Sequence, residues 1–160
     1  IGRRLDRWYL GNTLGQPIEH AIALAHLIFS GVLDRFDDLA LVAAHGGGYL
    51  PGFVGRTDHA WRVRRDARSC ENPPSSYLRQ IYVDTCVHDA RSLRNVVEVF
   101  GAERVLLGTD YPFDMAMADP LDALRDAGLD PELVHRITVE NPRRLGLVPT
   151  LPTAVSAPPS

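Results

Sequence analysis

The sequence has 160 residues, 45% of them hydrophobic and 23% charged, which is enough for one domain with a buried core. Its net charge of −3 gives no electrostatic indication of nucleic-acid binding, and the one basic cluster, at residues 62–68, is diluted by nearby acidic residues. No apolar run approaches the roughly 20 residues that span a bilayer, and we identify no signal peptide, so we expect no membrane partner. Cys70 and Cys86 lack the CxxC spacing of a zinc ribbon, and two free thiols fit a cytoplasmic location.

The first half of the chain predicts two helices and one strand after fifteen irregular residues. A helix begins at residue 16, because the proline that follows suits the first helical turn, and a Ser-Gly pair ends it at 30–31. Residues 39–45 are apolar at successive positions, as in a parallel strand that helices cover on both faces. Residues 50–66 are predicted as a second helix, and 69–76 as a loop.

The second half of the chain alternates strands and helices, which predicts parallel strands joined by right-handed crossovers. Only three strands are visible in all, and two open edges indicate part of a larger sheet or barrel. We assign residues 1–148 to one partial barrel domain and 149–160, rich in proline, serine, threonine and alanine, to a disordered tail. The predicted elements are strands at 81–86 and 104–110, and helices at 89–100, 120–127, 131–139 and 141–145.

Two of the predicted strands end in a residue that can bind a metal or transfer a proton. His45 is followed by three glycines, and Asp110 is followed by a Tyr-Pro pair. Because the carboxyl ends of parallel strands are where α/β proteins place their chemistry, we predict that both side chains face one site. A capping histidine and a turn-forming aspartate are the alternatives. No Gly-Lys-Ser/Thr follows the glycines, so we expect close backbone contact there rather than a phosphate loop.

Four other residues have weaker signals. Asp84 falls inside an apolar strand, where an unpaired carboxylate is costly, so we expect a hydrogen-bond partner for it. His88 follows the same strand and is interpreted as a surface residue, with a pocket-lining role as the alternative. His20 lies on the first predicted helix and is interpreted as a packing or surface residue. Cys86 is interpreted as a small buried side chain.

Several motifs occur together in one order: HGGG at 45–48, VGR at 54–56, YVD and VHD between 82 and 89, and LLGTDYPF at 106–113. In this combination the chain resembles the amidohydrolase-related decarboxylases, a family typified by aminocarboxymuconate-semialdehyde and resorcylate decarboxylases. The resemblance runs from about Leu14 to Leu147. It implies an α/β fold, namely the C-terminal portion of a metal-dependent (β/α)₈ TIM barrel, with the three predicted strands as strands six to eight.

The resemblance also implies roles for individual residues. In that family a divalent metal, usually zinc, is bound by a His-x-His pair on the first strand, a histidine on the fifth and an aspartate on the eighth. Asp110 matches this aspartate, and His45 matches a sixth-strand histidine that acts as the acid/base beside the metal. Arg56 matches an arginine that crosses the interface of a homodimer to hold a substrate carboxylate. A solvated surface charge is the alternative for Arg56, and His59 on the same helix is a candidate for that interface.

The chain departs from the family pattern in one respect, because it contains no His-x-His pair. We therefore expect an incomplete metal site and an inactive isolated chain. The implied activity of the full-length protein is a metal-dependent lyase that removes CO₂ from an unsaturated or aromatic carboxylic acid. A metal-dependent hydrolase on the same scaffold is the first alternative. An inactive remnant that acts as an interaction module is the second.

Overall fold

The computed structural model describes residues 2–148, and a sheet of three parallel strands lies at its centre. The strands are β1 (Leu41–Ala43), β2 (Ile81–Asp84) and β3 (Val105–Leu106), arranged in the order β1-β2-β3. Within the described residues each outer strand pairs only with β2. The predicted parallel α/β arrangement is therefore confirmed.

Helices connect the strands and pack against the sheet. Aspartate caps start three of them, because the carboxylates of Asp89, Asp119 and Asp130 accept backbone N–H groups of the first turn. None of the helices between residues 2 and 148 combines the length and apolar character that crossing a membrane requires. The α-helices are α1 (Gln16–Phe29), α2 (Val32–Arg35), α3 (Leu50–Val63), α4 (Ala90–Phe100), α5 (Pro120–Asp126), α6 (Pro131–His135) and α7 (Asn141–Arg144).

The two faces of the sheet differ in burial. Side chains alternate along a strand, and those on one face, such as Val83 and Val105, are fully buried against the helices. On the other face Val42 is 49% exposed, although its neighbour Tyr82 is buried beneath the Arg104 guanidinium. The prediction that the first strand is covered on both faces is therefore wrong at Val42, whose side chain the described residues leave half exposed.

The strands are also shorter than predicted. The first ends at Ala43 rather than residue 45, and the third ends at Leu106 rather than residue 110. One cause is that His45 and Asp110 adopt positive φ angles of 53° and 60°, which extended backbone does not allow. A second cause is that β1 and β3 each pair with only one neighbouring strand among the described residues, so fewer of their residues are held in an extended ladder.

Some segments predicted as irregular contain short helical turns instead. The opening residues form a 3₁₀ turn at Gly2–Leu5 and a π-helical turn at Gly11–Gly15. The predicted loop at 69–76 runs into a 3₁₀ helix at Pro74–Gln80. The predicted tail at 149–160 lies outside the described residues.

The glycine run after β1 is in close contact with its surroundings, as predicted. Gly46, Gly47 and Gly48 all have positive φ angles. A Cβ atom on Gly46 would lie 2.5 Å from a methyl carbon of Val87, and one on Gly48 would collide with the carbonyl oxygen of Pro17. Only glycine therefore allows this loop to pass between α1 and the segment that follows β2.

Asp84, the last residue of β2, is the hydrogen-bonding centre of the carboxyl edge of the sheet. Its Oδ1 accepts the backbone N–H of Gly46 at 3.0 Å and that of Cys86 at 3.1 Å. A Cβ atom on Gly108 would lie 2.7 Å from the Cβ of Asp84, so the loop after β3 also packs closely on this residue. The partners expected for Asp84 are thus the backbones of the adjoining loops.

Asn141 joins the C-terminal helices to the start of β3. Its side chain is fully buried, and its Nδ2 donates to the carbonyl oxygens of Ala102 and Val105, both at 2.7 Å. Two backbone carbonyls in the protein interior are therefore satisfied by one side chain.

We expect Asn141→Ala to lower the free energy of unfolding by about 1–3 kcal/mol, because both carbonyls lose the Nδ2 donor and only that of Ala102 keeps another one, the backbone N–H of Val105. Urea unfolding followed by circular dichroism measures this change. Asn72→Ala, at an exposed position, is the matched control and should stay within about 0.5 kcal/mol of the parent. Equal stability of the two variants would show that the Asn141 hydrogen bonds contribute nothing.

We expect Asp84→Ala to destabilise the chain by about 1.5–3 kcal/mol, because two N–H groups lose an ionised acceptor. Asp84→Asn keeps an acceptor oxygen and should lose less. Hydrogen exchange of the Gly46 amide, measured by NMR, should accelerate in the alanine variant. Asp126→Ala, at an exposed position, is the control, and unchanged Gly46 exchange in Asp84→Ala would contradict the assignment.

Candidate functional site

The two predicted site residues lie at the carboxyl edge of the sheet and line the same cavity. His45 begins the turn that follows β1, and Asp110 follows β3 by four residues. The cavity between them has a volume of about 610 Å³, within the usual range of small-molecule sites. The structure thus brings together His45 and Asp110, which are 65 positions apart in the sequence.

The wall of this cavity, hereafter the rim cavity, combines apolar and polar side chains. The apolar part comes chiefly from the glycine loop, the start of α3 and the segment after β2. The polar part comes from the N-terminal turns of α1 and α4 and from the strand ends. Its apolar lining includes Pro17, Tyr49, Pro51, Phe53, Val87, Val96 and Met115, and its polar lining includes Asn12, Thr13, Gln16, His45, His88, Arg91, Ser92, Asn95 and Asp110.

His45 packs against a second histidine. The ring of His20, on α1, meets the ring of His45 edge to face, with 5.2 Å between the centroids and 72° between the planes. The Nδ1 of His20 lies 2.7 Å from the carbonyl oxygen of Gln16, and a carbonyl only accepts, so this nitrogen is the donor. His20 therefore has a defined packing role, and that role is to contact His45.

Cys86 lies between Asp84 and Asp110 and is buried, as expected. Burial, together with the nearby carboxylates of Asp84 and Asp110, raises the pKa of its thiol to about 12. The thiol is therefore protonated at neutral pH and behaves as a small buried side chain rather than as a nucleophile.

The structure does not bring every predicted residue to the rim cavity. Arg56 lies on α3, exposed, and is absent from the cavity lining, as is His59 on the same helix. His88 is exposed, as predicted for a surface residue, and it also lines the cavity. Arg91 also lines the cavity and was missed. The sequence could have indicated Arg91, because a helix that follows a parallel strand begins at the carboxyl edge of the sheet, where the site is predicted.

The rim cavity offers two groups that could bind a metal ion. The carboxylate of Asp110 and the imidazole of His45 are donors of the kind that divalent metals accept. However, no group of three or more histidine, cysteine, aspartate or glutamate side chains within residues 2–148 is arranged to hold a metal ion. A catalytic zinc needs three protein ligands and an open position, so the described residues do not complete such a site by themselves.

Comparison with known proteins places these features in one family. The amidohydrolase family matches residues 5–145 of the chain. The 2-amino-3-carboxymuconate-6-semialdehyde decarboxylase of Dictyostelium discoideum is 37% identical over 119 residues, which cover 73% of this chain and 33% of the relative. The crystal structure of 5-carboxyvanillate decarboxylase from Sphingomonas paucimobilis matches 93% of this chain and 46% of that protein, with a TM-score of 0.80 and 26% identity.

A further match is a dihydroxybenzoic acid decarboxylase from Polaromonas, crystallised with manganese and the inhibitor 2-nitroresorcinol. It has a TM-score of 0.75 and 24% identity, and it covers 89% of this chain and 45% of that protein. The chain thus spans about a third of the curated relative and less than half of either solved structure. These similarities imply a TIM-barrel scaffold for the sheet and helices. The chain belongs to the amidohydrolase family, as the motifs between His45 and Phe113 predicted.

Proposed function

We propose that this chain forms part of a metal-dependent carboxy-lyase that removes CO₂ from an unsaturated or aromatic carboxylic acid. The observation that carries the proposal is that His45 and Asp110 line one cavity at the carboxyl ends of parallel strands. The decarboxylase relatives support the class of reaction. The active unit is the complete protein, since the chain spans only part of each relative.

Within that protein we assign β1, β2 and β3 to strands six, seven and eight of the barrel. The order of the motifs supports this assignment. The burial pattern supports it as well, because Val42 on the face away from the helices is 49% exposed. In a closed barrel that face points inward and is covered by side chains from the other strands.

The metal and its ligands are assigned next. Asp110 supplies the ligand from this chain, and the remaining ligands come from strands that it does not contain. A divalent metal held there would supply Lewis-acid stabilisation of the negative charge that develops as CO₂ leaves. We propose zinc, and the manganese bound in the Polaromonas decarboxylase makes that metal the alternative.

His45 is assigned as the acid/base. Loss of CO₂ leaves an electron pair on carbon, and the imidazole of His45 delivers the proton that replaces the carboxyl group. His20 limits the rotation of this imidazole by packing edge-on against it. If the same imidazole activated water against an ester or amide instead, the reaction would be hydrolysis, so product analysis distinguishes the two reactions.

Arg56 is assigned to a subunit interface. It lies exposed on α3 and outside the rim cavity of its own chain, an arrangement compatible with binding a substrate carboxylate in a neighbouring subunit of a homodimer. The homodimer and the cytoplasmic location of the complete protein both remain predictions.

We expect the 160-residue chain alone to bind zinc no more tightly than roughly micromolar and to release no CO₂, because two donors do not form a catalytic site. Competition with a zinc-binding dye measures the affinity, and ¹⁴CO₂ release from carboxyl-labelled 2,6-dihydroxybenzoate measures the activity. Tight zinc binding together with turnover would contradict the assignment of missing ligands to other strands.

We expect His45→Gln in the complete protein to lower kcat for CO₂ release by at least about a hundredfold, because the positioned proton donor is removed. His135→Gln is the matched control, since His135 is exposed at the end of α6 and outside the rim cavity. Mass spectrometry of the products distinguishes loss of CO₂ from uptake of water. Full activity in His45→Gln, or a hydrolysis product from the parent, would overturn the proposed function.

A further inference from the structure

The rim cavity contains one strongly basic side chain, the guanidinium of Arg91. Among the described lining residues it is the only arginine, and none is a lysine. Arg91 lies in the first turn of α4, directly after β2 and the VHD motif. A carboxylic acid substrate is an anion at neutral pH, so an enclosing cavity needs a cation to bind it.

The position of Arg91 on α4 directs it to the cavity rather than to the core. The core-facing side of this helix is formed by Leu93, Val96 and Phe100, which are buried. Arg91, Ser92 and Asn95 occupy the side that lines the rim cavity. These three side chains thus place hydrogen-bonding groups along one edge of the cavity.

Arg91 is available to bind an external anion. Among the residues that the structure describes, its guanidinium forms no ion pair. The nearest acid in sequence, Asp89, uses its Oδ1 to accept the backbone N–H groups of Arg91 and Ser92. Oδ1 of Asp89 is therefore used as the cap of α4. The Ser92 and Arg91 hydrogen bonds and, more weakly, the Arg91 charge lower the pKa of this carboxyl, but the two side chains form no ion pair among the described residues.

The rest of the rim cavity fits a flat, partly apolar molecule. Phe53, Tyr49 and Met115 supply an apolar wall, while Asp110 places a negative charge on the loop after β3, a different element from α4. An aromatic or unsaturated ring can lie on the wall while its carboxylate is directed to the guanidinium, which binds planar carboxylates with paired hydrogen bonds.

We propose that Arg91 binds the carboxylate of a substrate held in the rim cavity of its own chain and so contributes to the preference for acids. The proposal rests on the proposed function for the class of substrate, and it places the carboxylate contact within one chain. The assignment of Arg56, in contrast, requires a second subunit. Recognition by Arg91 is an equilibrium property that requires neither a metal nor turnover.

The test compares the binding of 2,6-dihydroxybenzoate with that of resorcinol, the same ring without the carboxylate. An NMR titration of the ¹⁵N-labelled 160-residue chain at low salt follows the amides of Gly48 and Gly52, which line the cavity. We expect the acid to bind about fivefold more tightly than resorcinol, a preference of the size measured for exposed ion pairs. Added salt should reduce this preference.

Arg91→Gln should remove the preference without changing the affinity for resorcinol. Arg62→Gln, at an exposed position on α3 outside the rim cavity, is the matched control and should retain it. Far-ultraviolet circular dichroism and the amide spectrum identify any variant that fails to fold, and Arg91→Lys then serves as the second variant. It should keep part of the preference, because lysine retains the charge but not the planar pair of donors.

The proposal is wrong if the parent chain binds the acid no more tightly than resorcinol, including the case in which it binds neither. It is also wrong if folded Arg91→Gln or Arg91→Lys retains the full preference. Failure of the proposed function is distinguished from these results by the CO₂ assay. A complete protein that releases no CO₂, while the chain still prefers acids through Arg91, would overturn the reaction and leave the binding residue in place.

Discussion

The carboxylate of Asp84 is the interaction on which the arrangement of the site depends. It lies at the end of the central strand and accepts N–H groups from the loop that carries His45 and from the segment that carries Cys86. The loop before Asp110 packs on the same residue through Gly108. A single acidic side chain in mid-sheet therefore sets the relative positions of loops that are far apart in the sequence, and a hydrophobic residue at this position would leave their backbone groups unpaired.

Much of the fold could be predicted because burial on the helix side of the sheet leaves a clear pattern. Short apolar runs, at Ile81–Asp84 and Val105–Leu106, alternate with segments of helical periodicity that glycine or proline delimits. This alternation is enough to predict parallel strands from the sequence alone. The exposure of Val42 could not be predicted, because an apolar run does not reveal whether anything covers its second face. The turns in the first fifteen residues were missed since they lack a helical period.

The residues of the site that follow directly from strand ends could be predicted from the sequence. His45 and Asp110 could be paired because the carboxyl ends of parallel strands meet at one edge. The contact of His20 with His45 and the position of Arg91 in the rim cavity depend on how helices are rotated about their axes, which the spacing of apolar residues indicates only coarsely. No metal-ligand motif beyond the two strand-end residues could be predicted from this chain, because it contains no His-x-His pair.

The left-handed backbone at His45 and Asp110 has a consequence for how this protein tolerates change. Both residues have positive φ angles, a conformation that is strained for a residue with a side chain and unstrained for glycine. Random substitution toward glycine at either position would relax the local backbone while removing the imidazole or the carboxylate. In the proposed function both side chains take part in the chemistry, so thermostability would compete with it at these two positions, and a search for more stable variants that ignored activity would tend to remove the imidazole and the carboxylate.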